Sequence, residues 1–194
     1  MKKIFILFCI LIISLSSVYA ATKPRWETKP IKVYIPGNSY TSKIMKNAFL
    51  QWQTRTNSTV WFSFLNESNK KDADITVHFV DNNTYCGNIS AIGCTRMSIN
   101  SDGFFAHNDI FIAYKFVQEL VGENGIVVRK TYPIPAPQLY RVMLHETGHA
   151  IGINTHSMNS KSIMYAYSLE DTNPNEIPQR LTKEDINYIN HVYK

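Results

Sequence analysis

His145-Glu146-Thr147-Gly148-His149-Ala150-Ile151-Gly152-Ile153-Asn154-Thr155-His156 is the stretch around which the rest of the chain is arranged. Histidines four apart on a helix project from one face about a turn apart, so the imidazoles of His145 and His149 can reach a single ion. Glu146 follows the first of them. Its carboxylate sits beside that ion without ligating it, where it can take a proton from water. Gly152 permits the positive φ that ends a helix and turns the chain back, so that His156 can approach the same point. Three neutral imidazoles leave the fourth tetrahedral position open to water, which distinguishes a catalytic zinc site from a closed structural one. The five-residue H-E-x-x-H pattern alone is a weak signal, but Gly152, His156 and the downstream Ser162-Ile163-Met164-Tyr165 make it specific.

That stretch, with Met164 after it, resembles the metzincin pattern of an extended zinc motif followed by a Met-turn. Within that group the chain is similar to the matrixins, the collagenase-like and stromelysin-like zinc endopeptidases. His156-Ser157 followed by Ile163-Met164-Tyr165 matches in wording and spacing, and Pro178 to Tyr193 resembles the last helix with its lead-in. Asp72-Ala73-Asp74-Ile75 is similar to the third strand, and Pro24-Arg25-Trp26 with Ile31 to Ile35 to the opening. The resemblance covers most of the chain after residue 23. It implies an α/β (α+β) fold: a twisted mixed five-stranded sheet with three helices, and a zinc cleft between an N-terminal and a smaller C-terminal subdomain. Met164 is then an apolar floor beneath the ligands that does not coordinate metal.

The chain departs from the family at one point. Matrixins usually place two residues between the motif glycine and the third histidine, whereas Ile153, Asn154 and Thr155 make three here. The spacing of His156 to Met164 fits the family, so the extra residue is expected to form a bulge in the turn. The alternative is a two-histidine site completed by another side chain. Some metzincins carry a tyrosine ligand two residues after the methionine; Ala166 stands there in this chain, which favours the matrixin branch.

By the same resemblance the chain is expected to be a secreted zinc metalloendopeptidase that binds one catalytic Zn2+. Water activated by the metal attacks a peptide carbonyl, and Glu146 moves its proton to the leaving amine. Protein or peptide substrates lie as an extended strand along the Ile89 to Ile99 edge, and Tyr165 to Arg180 walls the pocket for the side chain after the scissile bond. Asp102, His107 and Asp109 are the cluster that echoes the family's structural Ca2+ or second zinc, against the reading of a solvated loop. Matrixins often carry a pro-segment whose cysteine blocks the metal. Neither Cys86 nor Cys94 lies in such a segment, so activity on export without a latency switch is expected. Two other classes stay open: a secreted zinc-binding interaction module without turnover, and a zinc hydrolase acting on cell-wall peptides. Glu146 speaks against the first, because a binding module needs no base beside an open metal.

The rest of the chain fits around the motif. Residues 1–20 read as a signal peptide: Lys2 and Lys3, an apolar run from Ile4 to Ile13 too short to span a bilayer, and Val18-Tyr19-Ala20 for cleavage. Residues 21–194 suffice for a single domain, and a monomer is expected. Loss of Lys2 and Lys3 takes the formal charge from +5 to +3, all fifteen acids lying downstream. There is no Lys/Arg-rich run, so no nucleic-acid partner is expected, nor a membrane once the leader is removed. Cys86 and Cys94, in an exported chain, are expected to form a disulfide, with free thiols or metal ligands as the alternatives.

Periodicity supplies the elements. Ile31 to Ile35 reads as a strand, and Ser42 to Thr54 as a helix with Ile44, Met45, Ala48, Phe49 and Trp52 on one face. Val60, Phe62 and Phe64 alternate as in a strand, as do Ile75, Val77 and Phe79; Ile89 to Ile99 and Asn108 to Tyr114 are further strand candidates. Gly122 to Pro137, with two glycines and three prolines, predicts a loop leading to the zinc helix, Gln138 to Ile151. Thr182 with Asp185 forms a capping box that opens a last helix burying Ile186, Ile189 and Val192.

Overall fold

The alternation of buried Ile31 and Val33 with exposed Lys32 gives the first strand, β1 (Ile31–Tyr34), an interior strand next to one edge of the main sheet. The fold described here is that of a computed structural model, which describes residues 23–82, 84–87, 91–121, 124–166 and 178–194. The signal segment and most of the Tyr165 to Arg180 wall lie outside the described residues.

Helix α1 (Tyr40–Arg55) starts at Ser39, whose hydroxyl oxygen accepts from Ser42 N at 3.2 Å and satisfies one orphan amide of the first turn. Ser42, Met45, Ala48, Phe49 and Trp52 form its buried stripe. Phe49 meets Phe62 and Phe64 of β2 (Phe62–Leu65) edge-on, at 5.0 and 6.1 Å between centroids. β3 (Ile75–Val80), β4 (Gly93–Ile99) and β5 (Phe105–Ala113) complete a sheet ordered β2-β1-β3-β5-β4. Pairing is parallel throughout except between β4 and β5. This is the mixed five-stranded sheet expected from the resemblance. α2 (Ala136–Ala150) and α3 (Lys183–Val192) follow, and one core joins Ile31, Val33, Ile75, Val77, Ile110 and Ile112 to Met45, Phe49, Trp52, Met143 and Leu144. Among the described residues no helix is long and apolar enough to cross a membrane.

The segment expected to be a loop is largely a hairpin. β6 (Lys115–Val121) pairs antiparallel with β7 (Val127–Pro133), from Lys115 opposite Pro133 to Val121 opposite Val127. Three of its glycines and prolines fall outside or at the end of a strand: Gly125 has φ of +75° in the turn, Pro133 closes β7, and Pro135 caps α2. Every residue of β7 is exposed, so no face is buried and the alternation that reveals a half-buried strand is missing. The Ile89 to Ile99 candidate is a strand only from Gly93, with residues 88–90 outside the described chain, and β5 begins three residues before Asn108. Ile186 is half-buried, while Ile189 and Val192 are buried as expected.

Cys86 and Cys94 are disulfide-bonded, with Cα atoms 5.9 Å apart and eight residues of separation, so the bridge ties the start of β4 to the preceding turn. Closing a loop of this length lowers the entropy of the unfolded chain by the equivalent of about 2–3 kcal/mol. Cys86→Ser/Cys94→Ser is therefore expected to lower Tm by about 5–10 °C. A melt of reduced and oxidised wild type beside the double variant checks this.

Candidate active site

α2 is buried on nearly every side: Leu139, Arg141, Met143 to Gly148 and Ala150 are all buried, as for a helix enclosed by other elements. Trp52 Nε1 donates to Leu144 O at 2.9 Å and binds it to α1. At its C-terminal end, where carbonyls lose their helical partners, Ala150 O accepts from Trp26 Nε1 and Asn108 Nδ2, both at 2.9 Å. Ile151 O accepts from the Tyr193 hydroxyl at 2.9 Å. Three distant parts of the chain therefore fix the end of the helix that carries His145 and His149. Gly152, at φ +124°, reverses the chain, and a Cβ there would stand 2.9 Å from Pro24 O.

The turn brings in the third histidine. Ile153 is buried, and Asn154 and Thr155 face outward, with Asn154 Oδ1 accepting from the Tyr188 hydroxyl at 3.2 Å. The extra residue is thus accommodated on the outside of the turn, against α3. His149 Nε2 lies 3.1 Å from His145 Nε2 and 3.3 Å from His156 Nε2. Among the described residues, this is the group of three metal-capable side chains whose donor atoms lie within 4.8 Å of one another.

The hydrogen bonds behind the rings fix which way the lone pairs point. His145 Nδ1 lies 2.8 Å from Ile163 O, and His149 Nδ1 lies 2.5 Å from Ile153 O. A carbonyl can only accept, so each Nδ1 carries the proton and each Nε2 presents a lone pair toward the other. Two acceptors facing each other at 3.1 Å repel unless a cation lies between them. Zinc–nitrogen distances of about 2.0–2.1 Å in a tetrahedron give a nitrogen separation of about 3.3–3.4 Å, so the donor set fits a zinc ion. Burial, with His149 adjacent, lowers the His145 pKa to about 3, and burial lowers that of His149, so both offer neutral nitrogen at ordinary pH.

Glu146 is 5% exposed. Burial raises its pKa to about 7, with the Thr95 hydrogen bond and the Arg141 charge pulling the other way. A carboxyl poised there can both accept and return a proton near neutrality. Met164 lies against Gly148: an added Cβ would overlap Met164 Sδ and come within 3.0 Å of Trp52 Cζ2. The glycine inside the motif therefore leaves room for the methionine beneath the helix. The segment around Met164 is held by Asp185, which is 2% exposed. Its carboxylate accepts from Ser162 Oγ at 2.5 Å, Ile163 N at 3.2 Å and Thr182 N at 2.8 Å, the last closing the capping box. Asp185→Asn would put an NH2 group against donors at a buried site, at a cost of about 2–3 kcal/mol. A fall in Tm of about 5–10 °C is expected by thermal melt.

The structure groups the sequence-predicted residues unevenly. His145, His149 and His156 converge; Glu146 lies on the helix of the first two with its carboxylate on Thr95, and Met164 packs against that helix at Gly148. His107 and Asp109 lie 3.4 Å apart, and Asp109 Oδ1 also meets His78 Nε2 at 2.7 Å, whereas Asp102 donates its amide to Asn100 in a separate turn. The sequence marked Trp26 and Tyr193 only as parts of family-like segments and Thr95 and Asn108 only as parts of strand candidates, and gave none of the four a role at the site. A fully buried asparagine in a strand is the one such feature that burial reveals.

The chain is 28% identical over 190 residues to matrix metalloproteinase-16 of Homo sapiens, an alignment taking in 90% of this chain and 28% of that protein. The chain thus spans little more than a quarter of its relative's length. Distant likenesses among solved structures are myroilysin and high choriolytic enzyme 1, a hatching enzyme zinc-protease from Oryzias latipes. Myroilysin has a TM-score of 0.46 at 14% identity, over 84% of this chain and 79% of that one. The hatching enzyme has a TM-score of 0.41 at 13% identity, over 90% and 96%. The family model described as Matrixin matches residues 25–194, from ahead of the first strand through the histidines to the last residue, and the chain belongs to the matrixin family.

Proposed function

We propose that the chain is a secreted zinc metalloendopeptidase, with residues 1–20 as its export signal and residues 21–194 as one monomeric catalytic domain. The observation that carries the reading is the convergence of three imidazole Nε2 atoms, two of them on the helix that also carries the buried Glu146. His145, His149 and His156 are the ligands in this reading. Zinc held there supplies a Lewis acid that acidifies water and polarises a peptide carbonyl. Glu146 accepts the proton of the attacking water and delivers it to the departing amine, and its burial suits it to both steps. β4 stands at the end of the sheet, so its outward backbone groups can pair with an extended substrate strand. Met164 supports the histidines from below without entering the reaction. A structural cation at His107 and Asp109 would rest on their proximity alone, and a metal count above one per chain is its test.

The deciding experiment is hydrolysis of casein by the zinc-loaded chain, with and without chelator. Cleavage that chelation stops and zinc restores is the expected result. A folded, zinc-loaded chain that cleaves neither casein nor other unfolded proteins would overturn the reading in favour of an interaction module; cleavage confined to cell-wall peptides would redirect it to that substrate.

A further inference from the structure

We propose that Thr95 is a positioning residue for Glu146, and that β4 thereby fixes the proton-transfer group as well as offering the substrate edge. The inference rests on the reading of Glu146 as the base.

Thr95 Oγ1 lies 2.9 Å from Glu146 Oε2 and 3.0 Å from Glu146 O. Its hydroxyl therefore has an acceptor on the carboxylate and another on the backbone of the same residue, and keeps a partner as the carboxylate takes up the proton of the attacking water and gives it away. A glutamate side chain has three rotatable bonds, whereas threonine is stiff at χ1, so the hydroxyl is the more firmly held of the two groups.

The strand is brought to this distance by Gly93. On the pleated strand residues 93 and 95 share a face, and a Cβ at Gly93 would lie 2.6 Å from Val142 Cγ1 and 2.8 Å from Glu146 Cγ. Any side chain there would push β4 off α2 and carry Thr95 away from the carboxylate. The register is held from the other side: Gly93 pairs with Ile112 and Thr95 with Ile110 of β5, while Cys94 between them is bonded to Cys86. A peptide paired to the outer edge of β4 is thus placed relative to the same strand that aims the base. This gives Thr95 a role in orientation beyond satisfying a buried polar group.

The test compares Thr95→Val, which keeps the shape and removes the hydroxyl, with Thr95→Ser, which keeps the hydroxyl, in the zinc-loaded full chain. Thr95→Val is expected to lower kcat on a peptide substrate about 10-fold, the rate equivalent of one hydrogen bond. KM and zinc content should stay at wild-type values, and Thr95→Ser should restore most of kcat. Independently of turnover, the 13C signal of the Glu146 carboxyl carbon should change from one conformer to several in the valine variant. Thr95→Ala replaces Thr95→Val if the latter does not fold. Wild-type kcat in the valine or alanine variant, or an unchanged Glu146 signal, overturns the inference while leaving the peptidase reading intact. A wild type that is folded, zinc-loaded and inactive overturns the peptidase reading and this inference with it.

Discussion

Glu146→Gln is expected to leave a folded, zinc-binding chain whose casein hydrolysis is slower by about 10²–10⁴-fold, the usual contribution of a general base. The substitution preserves shape. Glu146 is buried and its pKa is raised to about 7 by burial, so the neutral amide adds no desolvation penalty and Thr95 keeps an oxygen to bond. What is lost is the ability to accept a proton. Zinc content by metal analysis and kcat measured on the same preparation separate the two roles. Turnover within tenfold of wild type would show that another group moves the proton. Loss of zinc would show that Glu146 belongs to the ligand set.

His156→Ala is expected to weaken zinc binding by more than about 100-fold, beyond the effect of losing an outer-shell partner. His156 is exposed and reaches the site from a turn that Tyr188, Ser157 and Met164 hold in place, so its removal takes away a donor with little damage to the apo fold. A 100-fold loss of affinity corresponds to about 2.7 kcal/mol of zinc-linked stabilisation. The apo Tm should therefore stay near wild type, while the rise in Tm on adding zinc shrinks. Competition with a chromophoric chelator gives the affinity directly. Unchanged affinity would mean a two-histidine site completed by another side chain, the alternative left open by the longer turn.

Much of the site is local information. His145, Glu146 and His149 lie within five residues on one helix, so helical periodicity alone places them, and Gly152 announces the reversal because other residues rarely adopt its φ. The Thr182 and Asp185 capping box was legible for the same reason. The β6–β7 hairpin was not. Periodicity reports burial on one face, and β7 buries neither.

By itself, then, the sequence determined the helix that carries two histidines and a glutamate, the turn that follows, the buried stripe of α1 and the family. Tertiary structure decided the rest. His156 meets the other two across a turn whose exposed Asn154 is held by Tyr188 of α3. Thr95 meets Glu146 because Gly93 lets an edge strand 51 positions away descend onto the helix. Trp26 and Asn108 converge on one carbonyl from 124 and 42 residues away. The physical reason is common to these cases: strand register and helix packing are fixed by contacts between segments far apart in the chain, and no periodicity within a segment encodes which distant partner will face it.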